Sequence, residues 1–164
     1  MAARAAIQSR APGVARDLCQ DLDVQRVDID TSIGYALKRT ATALRTAMEA
    51  SLRSLGLSVP QYSCLEILNA RSGISNADLA RGVFVTRQAM HQLLGGLQEA
   101  ELVSAGGQGR VQRYSLTPEG RRIITAASAA VAAVEEQMLS GLQPAERRRL
   151  HNDLERCTAA LGED

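Results

Sequence analysis

The sequence has no tryptophan, a single phenylalanine at Phe84 and only three tyrosines among its 164 residues. A core with so few rings has to be built mainly from Leu, Ile, Val, Met and Ala, and apolar residues make up 45% of the chain. Such side chains suit closely packed helices. With 23% charged residues, the composition is that of one globular domain or one compact fold with extensions.

Paired cysteines and long apolar runs are also missing. Cys19, Cys64 and Cys157 are odd in number and show no C-x-x-C spacing, which argues against a disulfide framework, a zinc site or any other metal cofactor. The longest small-apolar run, 126–134, is too short to span a bilayer, and residues 1–28 lack the apolar block of a secretory signal. We therefore predict reduced thiols in a cytoplasmic protein, whose residues 1–28 form an arm that is either flexible or wrapped around a partner subunit.

Neither sign of charge is in large excess, since the formal net charge is +1. Lys38 is the only lysine. No global field therefore drives the protein onto nucleic acid or an anionic membrane, so any nucleic-acid binding has to come from a local surface. Two histidines and three scattered cysteines supply no nucleophile–base pair, metal spacing or phosphate-binding loop, and we predict that the chain is not an enzyme.

Apolar periodicity and capping residues predict a mainly α chain of about six helices with a small β-hairpin. The predicted elements are helices beginning at Asp30, Pro60, Ser75 and Thr86, strands over 102–105 and 111–116, and helices beginning after Thr117 and after Pro144. Gly56 is expected to end the first helix and Gly82-Val83 to break the third. The long fifth helix is expected to extend to Leu142.

The fourth predicted helix, in the stretch "FVTRQAMHQLLGGL", carries an unusual outer face. Its predicted buried stripe consists of Val85, Ala89, Leu93 and Leu97, widened by Met90 and Leu94. The opposite face presents Arg87, Gln88, His91 and Gln92. Solvated helix faces usually carry Glu–Lys pairs, whereas Arg, Gln and His are side chains that read base edges.

A short capped helix, a tight turn and a second capped helix form a helix-turn-helix, in which the second helix enters the major groove. The following hairpin carries Arg110 and Arg113 beside a Gly-rich tip, which suits a wing in the minor groove. The helix starts at Ser75-Asn76 and at Thr86 offer backbone amides to phosphates. The sequence therefore predicts a winged helix-turn-helix that binds double-stranded DNA.

The chain resembles the bacterial MarR (multiple-antibiotic-resistance regulator) family over about residues 30–161. The resemblance lies in "LGLSVPQYSCLEIL", "SNADLARGVFVTRQAMHQLLGGLQEAELV", "GRVQRYSLTPEG" and the two C-terminal helices. It implies a homodimer through segments 29–56 and 117–164, around winged helix-turn-helix lobes formed by residues 57–116. It also implies binding of a pseudo-palindromic operator, usually as a repressor that a small aromatic or phenolic effector releases.

Carried over by position, the resemblance puts the recognition surface at Arg87, Gln88, His91 and Gln92 and the wing arginine at Arg110. It puts the effector pocket near Tyr35 and Tyr62. The apolar face of the last helix, Leu150, Leu154 and Leu161, would then contribute to the dimer interface. The chain departs from the family pattern at Gln108, where the family usually has Asp, and at Glu101, where it usually has Gly.

Two alternatives remain open. Five arginines and five acids between Pro60 and Gly120 leave that lobe without net charge, although phosphate neutralisation supplies much of DNA affinity. The fold could therefore serve as a ligand-binding or protein-interaction module without strong DNA binding. The second alternative is a DNA-binding thiol sensor that uses Cys19 or Cys64.

Overall fold

The computed structural model describes residues 28–106 and 112–162, and the chain divides into two compact units, 1–38 and 39–164. The predicted arm, Cys19, and the wing tip with Gln108 and Arg110 lie outside the described residues. Over the part of the chain that is described, no helix is both long enough and apolar enough to cross a membrane.

Those residues form six α-helices and a small sheet. The helices are α1 (Ile33–Leu52), α2 (Val59–Ala70), α3 (Asn76–Val83), α4 (Arg87–Glu99), α5 (Pro118–Met138) and α6 (Pro144–Leu161). The strands are β1 (Ile74–Ser75), β2 (Val103–Gly106) and β3 (Arg113–Leu116). The mainly α architecture with a winged helix-turn-helix is confirmed.

Side-chain caps begin the first two helices, and a glycine closes the turn that follows the first one. Helix α1 starts at Ile33 rather than at Asp30, because the Ser32 hydroxyl accepts the Tyr35 N–H at 3.2 Å. A short 3-10 turn follows α1, and Gly56 closes it in the left-handed conformation at φ 68°, as the sequence predicts. Helix α2 begins with a capping box, in which the side chain of Ser58 accepts from the backbone N–H of Gln61 and the side chain of Gln61 accepts from the N–H of Ser58.

The predicted break of α3 at Gly82-Val83 is wrong, because both residues belong to the helix and the turn falls at Phe84. Gly82 serves packing instead. A Cβ atom there would lie 2.7 Å from Cδ1 of Ile67 on α2, so the missing side chain lets the two helices approach closely. Glycine is unfavourable inside a helix, so its presence here is explained by packing between helices and not by a break in α3.

Helix α4 turns a somewhat different face inward from the predicted stripe. Met90, Leu94 and Leu97 are its buried residues, whereas Ala89 is exposed, so its assignment to the stripe was wrong. The larger side chains gain more from burial than a single methyl group does, and they decide the rotation of the helix.

The sheet has three antiparallel strands in the order β1-β3-β2. Ile74 pairs with Tyr114, and Val103 pairs with Leu116. The sequence predicts only the hairpin, with slightly different bounds, and misses β1. The predicted first strand residue, Leu102, precedes β2 and donates its N–H to the Leu97 carbonyl at 2.9 Å.

The segment "LTPEG" fixes the wing to α5. The Thr117 hydroxyl caps the helix by accepting the N–H of Gly120 at 2.9 Å, and it donates to the Glu101 carbonyl at 2.6 Å. A Cβ atom on Gly120 would lie only 2.0 Å from the carbonyl oxygen of Leu102. Glycine is therefore required for this close approach between helix and hairpin.

The core of the second unit is a single cluster of leucines with Cys64, Met90, Tyr114, Ile124 and a few smaller residues. Helix α5 contributes Ile124, Ala127 and Val131 and ends at Met138, so its predicted extension to Leu142 was wrong. Helix α6 has no buried residue in the chain by itself. Leu150, Leu154 and Leu161 on that helix are exposed.

Candidate nucleic-acid interface

Helix α4 presents its polar side chains at a well-capped N-terminus. Thr86 precedes the helix, and its hydroxyl accepts the N–H of Ala89 at 3.1 Å. Four polar side chains of the first two turns, all exposed, follow: Arg87, Gln88, His91 and Gln92. Among the residues that the structure describes, none of these four side chains forms a hydrogen bond or ion pair. Their donors and acceptors are thus available to a partner outside the chain.

Helix α3 begins at a side-chain cap that already uses its polar groups. The hydroxyl of Ser75 accepts the Asp78 N–H at 3.2 Å and donates to Oδ2 of Asp78 at 2.6 Å. This hydrogen bond, assisted by Arg81, holds the pKa of Asp78 below its ordinary value. Oδ1 of Asn76 is buried and lacks a hydrogen-bond partner within the described residues. The groups at this helix start that could donate to an anion are therefore the backbone amides and the Asn76 amino group.

The two arginines of the hairpin have different outcomes. Arg110 lies outside the described residues. Arg113 is exposed, and its Nη1 donates to the Gly73 carbonyl at 2.8 Å, which holds the turn before β1 against β3. Arg113 therefore has a structural contact in addition to its predicted position on the wing.

Several acids of the lobe have ion-pair or hydrogen-bond partners within the protein. Asp78 pairs with Arg81, and Glu119 pairs with Arg122 at 2.5 Å. Glu66 accepts hydrogen bonds from Tyr62 and Ser128. Arg87 at the start of α4 forms no ion pair with any described residue, so its positive charge is available to a partner although the formal charge of the lobe is zero.

Tyr62 and Tyr35 occupy different environments. The hydroxyl of Tyr62 donates to Oε1 of Glu66 at 3.1 Å, and burial together with this carboxylate raises the pKa of Tyr62 to about 12. Tyr62 therefore stays a neutral phenol at physiological pH. Tyr35 belongs to the first unit, lies on α1 and is 43% exposed.

A cavity of about 360 Å³ lies between α1 and α5, lined by residues that no sequence motif singles out. It is lined by Thr40, Ala43, Leu44, Ala47, Val134, Gln137 and Met138. Its size falls within the range of small-molecule pockets, about 300–1,000 Å³. Neither Tyr35 nor Tyr62 lines it, and only the pairing of two helices far apart in sequence creates it.

The cysteines are placed as follows. Cys64 is fully buried on α2, and burial raises the pKa of its thiol to about 12. Cys157 is exposed on α6. A thiol that is both buried and protonated is a poor nucleophile, which weighs against Cys64 as a redox sensor.

Known proteins share this arrangement. A model of the MarR family matches residues 55–111. The HTH-type transcriptional repressor Rv2887 of Mycobacterium tuberculosis is 36% identical over 138 residues, which is 82% of this chain and 96% of that protein. The crystal structure of Rv2887 in complex with DNA aligns with a TM-score of 0.67 at 34% identity, over 77% of this chain and 98% of that one.

The crystal structure of Rv2887 with salicylic acid aligns with a TM-score of 0.66 at 34% identity, over 78% of this chain and 97% of that one. The helix-turn-helix, the wing and the similarity over almost the whole length of a repressor agree with one another. The chain therefore belongs to the MarR family of transcriptional regulators.

Proposed function

We propose that this protein represses transcription by binding a pseudo-palindromic operator as a two-fold homodimer, with α4 of each subunit in the major groove. The observation that carries this proposal is the set of exposed side chains on α4 without partners in the described chain. Repressor similarity over 96% of the length of Rv2887, and the DNA complex of that protein, support it.

Each side chain of the recognition surface has a chemical role. Arg87 can donate two hydrogen bonds to O6 and N7 of guanine, because a guanidinium presents parallel N–H groups. Gln88 and Gln92 can bond N6 and N7 of adenine, and His91 can donate to or accept from a neighbouring base. The amides at the Ser75-Asn76 and Thr86 helix starts would hold flanking phosphates.

The wing would supply affinity with little sequence preference. Arg110 is assigned to the minor groove, and Arg113 assists while it holds the Gly73 carbonyl. Since the lobe has no formal net charge, its acids offset the attraction of its arginines to phosphate, and binding should be weak or should be lost steeply as the salt concentration rises. Arg110→Ala should accordingly weaken binding to all sequences by a similar factor.

Dimerisation would use α1, α5 and α6. The exposed fractions of Leu150 and Leu154, 41% and 39%, are large for leucines on one face of a helix. Leu161 extends the apolar face at the end of α6, where its side chain is 88% exposed. A two-fold axis would place the two α4 helices about 34 Å apart, one turn of DNA. This role involves no enzymatic step, and a repressor acts in the cytoplasm, where the DNA is.

A small aromatic effector would release the protein from DNA. Support comes from the salicylic acid complex of Rv2887, from Tyr62 with its neutral phenol, and from the cavity between α1 and α5. An effector that binds more tightly to a dimer with unsuitable lobe spacing lowers operator occupancy by that difference in affinity. Salicylate serves as the probe for release of the protein from DNA. If the effector binds in the cavity, Ala47→Met should reduce this release; if it binds at Tyr62, Tyr62→Phe should reduce it.

The proposal is tested by selecting bound duplexes from a random pool at low salt with wild type, Arg87→Ala and Arg71→Ala. Arg71 is the matched control because it is an exposed arginine at the end of α2, outside both the recognition surface and the helices assigned to dimerisation. Wild type and the control should enrich the same inverted repeat. Arg87→Ala should lose about 1–3 kcal/mol of binding free energy, and it should lose the sequence preference at one base of each half-site.

Absence of enrichment at every salt concentration would reject sequence-specific DNA binding. The neutral lobe would then favour the alternative function, a ligand-binding or protein-interaction module with a retained winged helix. Loss of affinity by the same factor on all duplexes for Arg87→Ala would reduce this residue to a phosphate contact.

A further inference from the structure

The turn between α3 and α4 is closed by a residue that is unusual for its conformation. Phe84 lies in the left-handed region at φ 58° and ψ 43°. Its N–H donates to the Arg81 carbonyl at 3.2 Å, and the N–H of Val85 donates to the Ala80 carbonyl at 3.0 Å. This hydrogen-bond pattern is a Schellman motif, whose left-handed position is usually glycine because a Cβ atom is unfavourable there.

The phenyl ring gains nothing from the core in return. Phe84 is 94% exposed, although it is the only phenylalanine of a chain with very few aromatic residues. At two other left-handed turns, Gly56 and Gly73, the chain uses glycine. Neither backbone conformation nor burial therefore accounts for a phenylalanine at this position.

Glu101 provides an internal comparison, since it closes α4 in the same left-handed conformation at φ 57°. Its side chain is polar and exposed, so water satisfies it. A non-glycine residue in this conformation is thus not by itself a sign of function. What distinguishes Phe84 is a large apolar ring held in solvent.

The position of Phe84 suggests what covers the ring. It lies two residues before Thr86, which caps α4, and three before Arg87, the first residue of the recognition surface. This end of a recognition helix is the one that meets base edges. The apolar group that the major groove displays is the C5 methyl of thymine, against which phenylalanine is a known contact.

We propose that Phe84 is a specificity-determining residue that packs against the C5 methyl of a thymine beside the base read by Arg87. This inference rests on the proposed function, because it requires α4 to lie in the major groove. A ring can neither bind phosphate nor donate to a base edge, so its contribution is discrimination of thymine from the other bases. The rigid turn fixes the ring relative to α4 and needs no rearrangement upon binding.

The experiment replaces thymine by uracil, one position at a time, in the duplex selected by the wild-type protein. This change removes only the methyl group. Affinities are measured for wild type, Phe84→Ala, Phe84→Gly and the control Glu101→Gly. Both glycine variants relieve a left-handed residue and should unfold at a higher temperature than wild type, which shows that they are folded.

For wild type and Glu101→Gly, uracil at one position of each half-site should weaken binding about fourfold per half-site, the value of one buried methyl group. For Phe84→Ala and Phe84→Gly, the thymine and uracil duplexes should bind alike within about twofold. That loss of sensitivity at one position and at no other is the result expected from a methyl contact.

Three results would overturn the inference. If wild type binds the selected duplex and tolerates uracil at every position, Phe84 reads no methyl group while the proposed function stands. If Phe84→Gly keeps the sensitivity of wild type, another residue makes the contact. If wild type selects no duplex at all, the proposed function fails and this inference fails with it; a change of oligomeric state in Phe84→Gly would then assign the ring to a protein contact.

Discussion

Replacing Gly120 by alanine tests whether the close approach of α5 to the hairpin positions the wing. The added Cβ would lie 2.0 Å from the Leu102 carbonyl oxygen, whereas an ordinary carbon–oxygen contact is about 3.3 Å or more. Leu102 cannot easily move away, because its carbonyl accepts the N–H of Thr117 at 3.1 Å and its N–H donates to Leu97 at 2.9 Å. The backbone around β2 therefore has to shift by more than about 1 Å, given that contact distance.

The expected loss of stability in Gly120→Ala has two contributions. Forcing a methyl group into a packed contact costs about 1–3 kcal/mol, and weakening one backbone hydrogen bond costs about 0.5–1.5 kcal/mol. We expect Gly120→Ala to lower the free energy of unfolding by about 1.5–4.5 kcal/mol, the sum of these contributions. Urea unfolding followed by far-ultraviolet circular dichroism measures this change.

The matched control is Gly96→Ala in α4, where an added Cβ meets no atom within 4 Å. Alanine in a helix is about 0.5–1 kcal/mol more favourable than glycine, so this variant should be more stable than wild type. An unfolding midpoint of Gly120→Ala equal to that of wild type would refute the argument that glycine is needed at this contact.

Two further predictions concern titratable groups. The pKa of Asp78 in the folded protein lies below its ordinary value of 3.8, mainly because Ser75 donates a hydrogen bond to it. Ionised Asp78 therefore stabilises the fold at pH values above 3.8, and this stabilisation is lost as the pH falls through the lowered pKa. Asp78→Asn should therefore lower the urea midpoint at about pH 6 but hardly at about pH 2, and a constant difference would contradict this linkage. The second prediction concerns Cys64, whose pKa of about 12 and full burial should keep maleimide from labelling it until the protein unfolds, measured in a Cys19→Ser and Cys157→Ser background; rapid labelling of the folded protein would restore the thiol-sensor alternative.

Local signals in the sequence predicted most of the helices because the interactions that define them are local. Ser75 and Thr86 cap helices through hydrogen bonds to residues three positions later, and Gly56 ends the first helical segment in a left-handed turn. Strand β1 was not predictable in this way. It is two residues long and exists through pairing with β3, about forty residues further along the chain.

The same distinction explains the errors at glycine and alanine. The sequence predicts a break at Gly82, whereas the space that Ile67 leaves beside this glycine depends on the packing of α3 against α2. Ala89 was placed in the buried stripe because its spacing fits, but the larger Met90 and Leu94 decide which face turns inward. Periodicity locates an apolar face only to within a neighbouring residue when that face is wide.

Parts of the candidate site were predictable to different degrees. The exposed surface of Arg87, Gln88, His91 and Gln92 followed from residue type and spacing, and the structure leaves all four exposed. The hydrogen bond from Ser128 to Glu66 could not be predicted in this way, because the two residues lie 62 positions apart in the sequence. The sequence marks Phe84 only as the single phenylalanine, because its exposure depends on the conformation of the turn.

The most direct test of the central claim is methylation interference on the selected duplex, which identifies guanines whose N7 in the major groove has to be free for binding. With wild type, two clusters of interfering guanines should appear about 34 Å apart on the duplex, related by the symmetry of the repeat. Arg87→Ala should lose interference at one guanine in each cluster. Binding that tolerates N7 methylation throughout a duplex with guanines in both half-sites would contradict a recognition helix in the major groove.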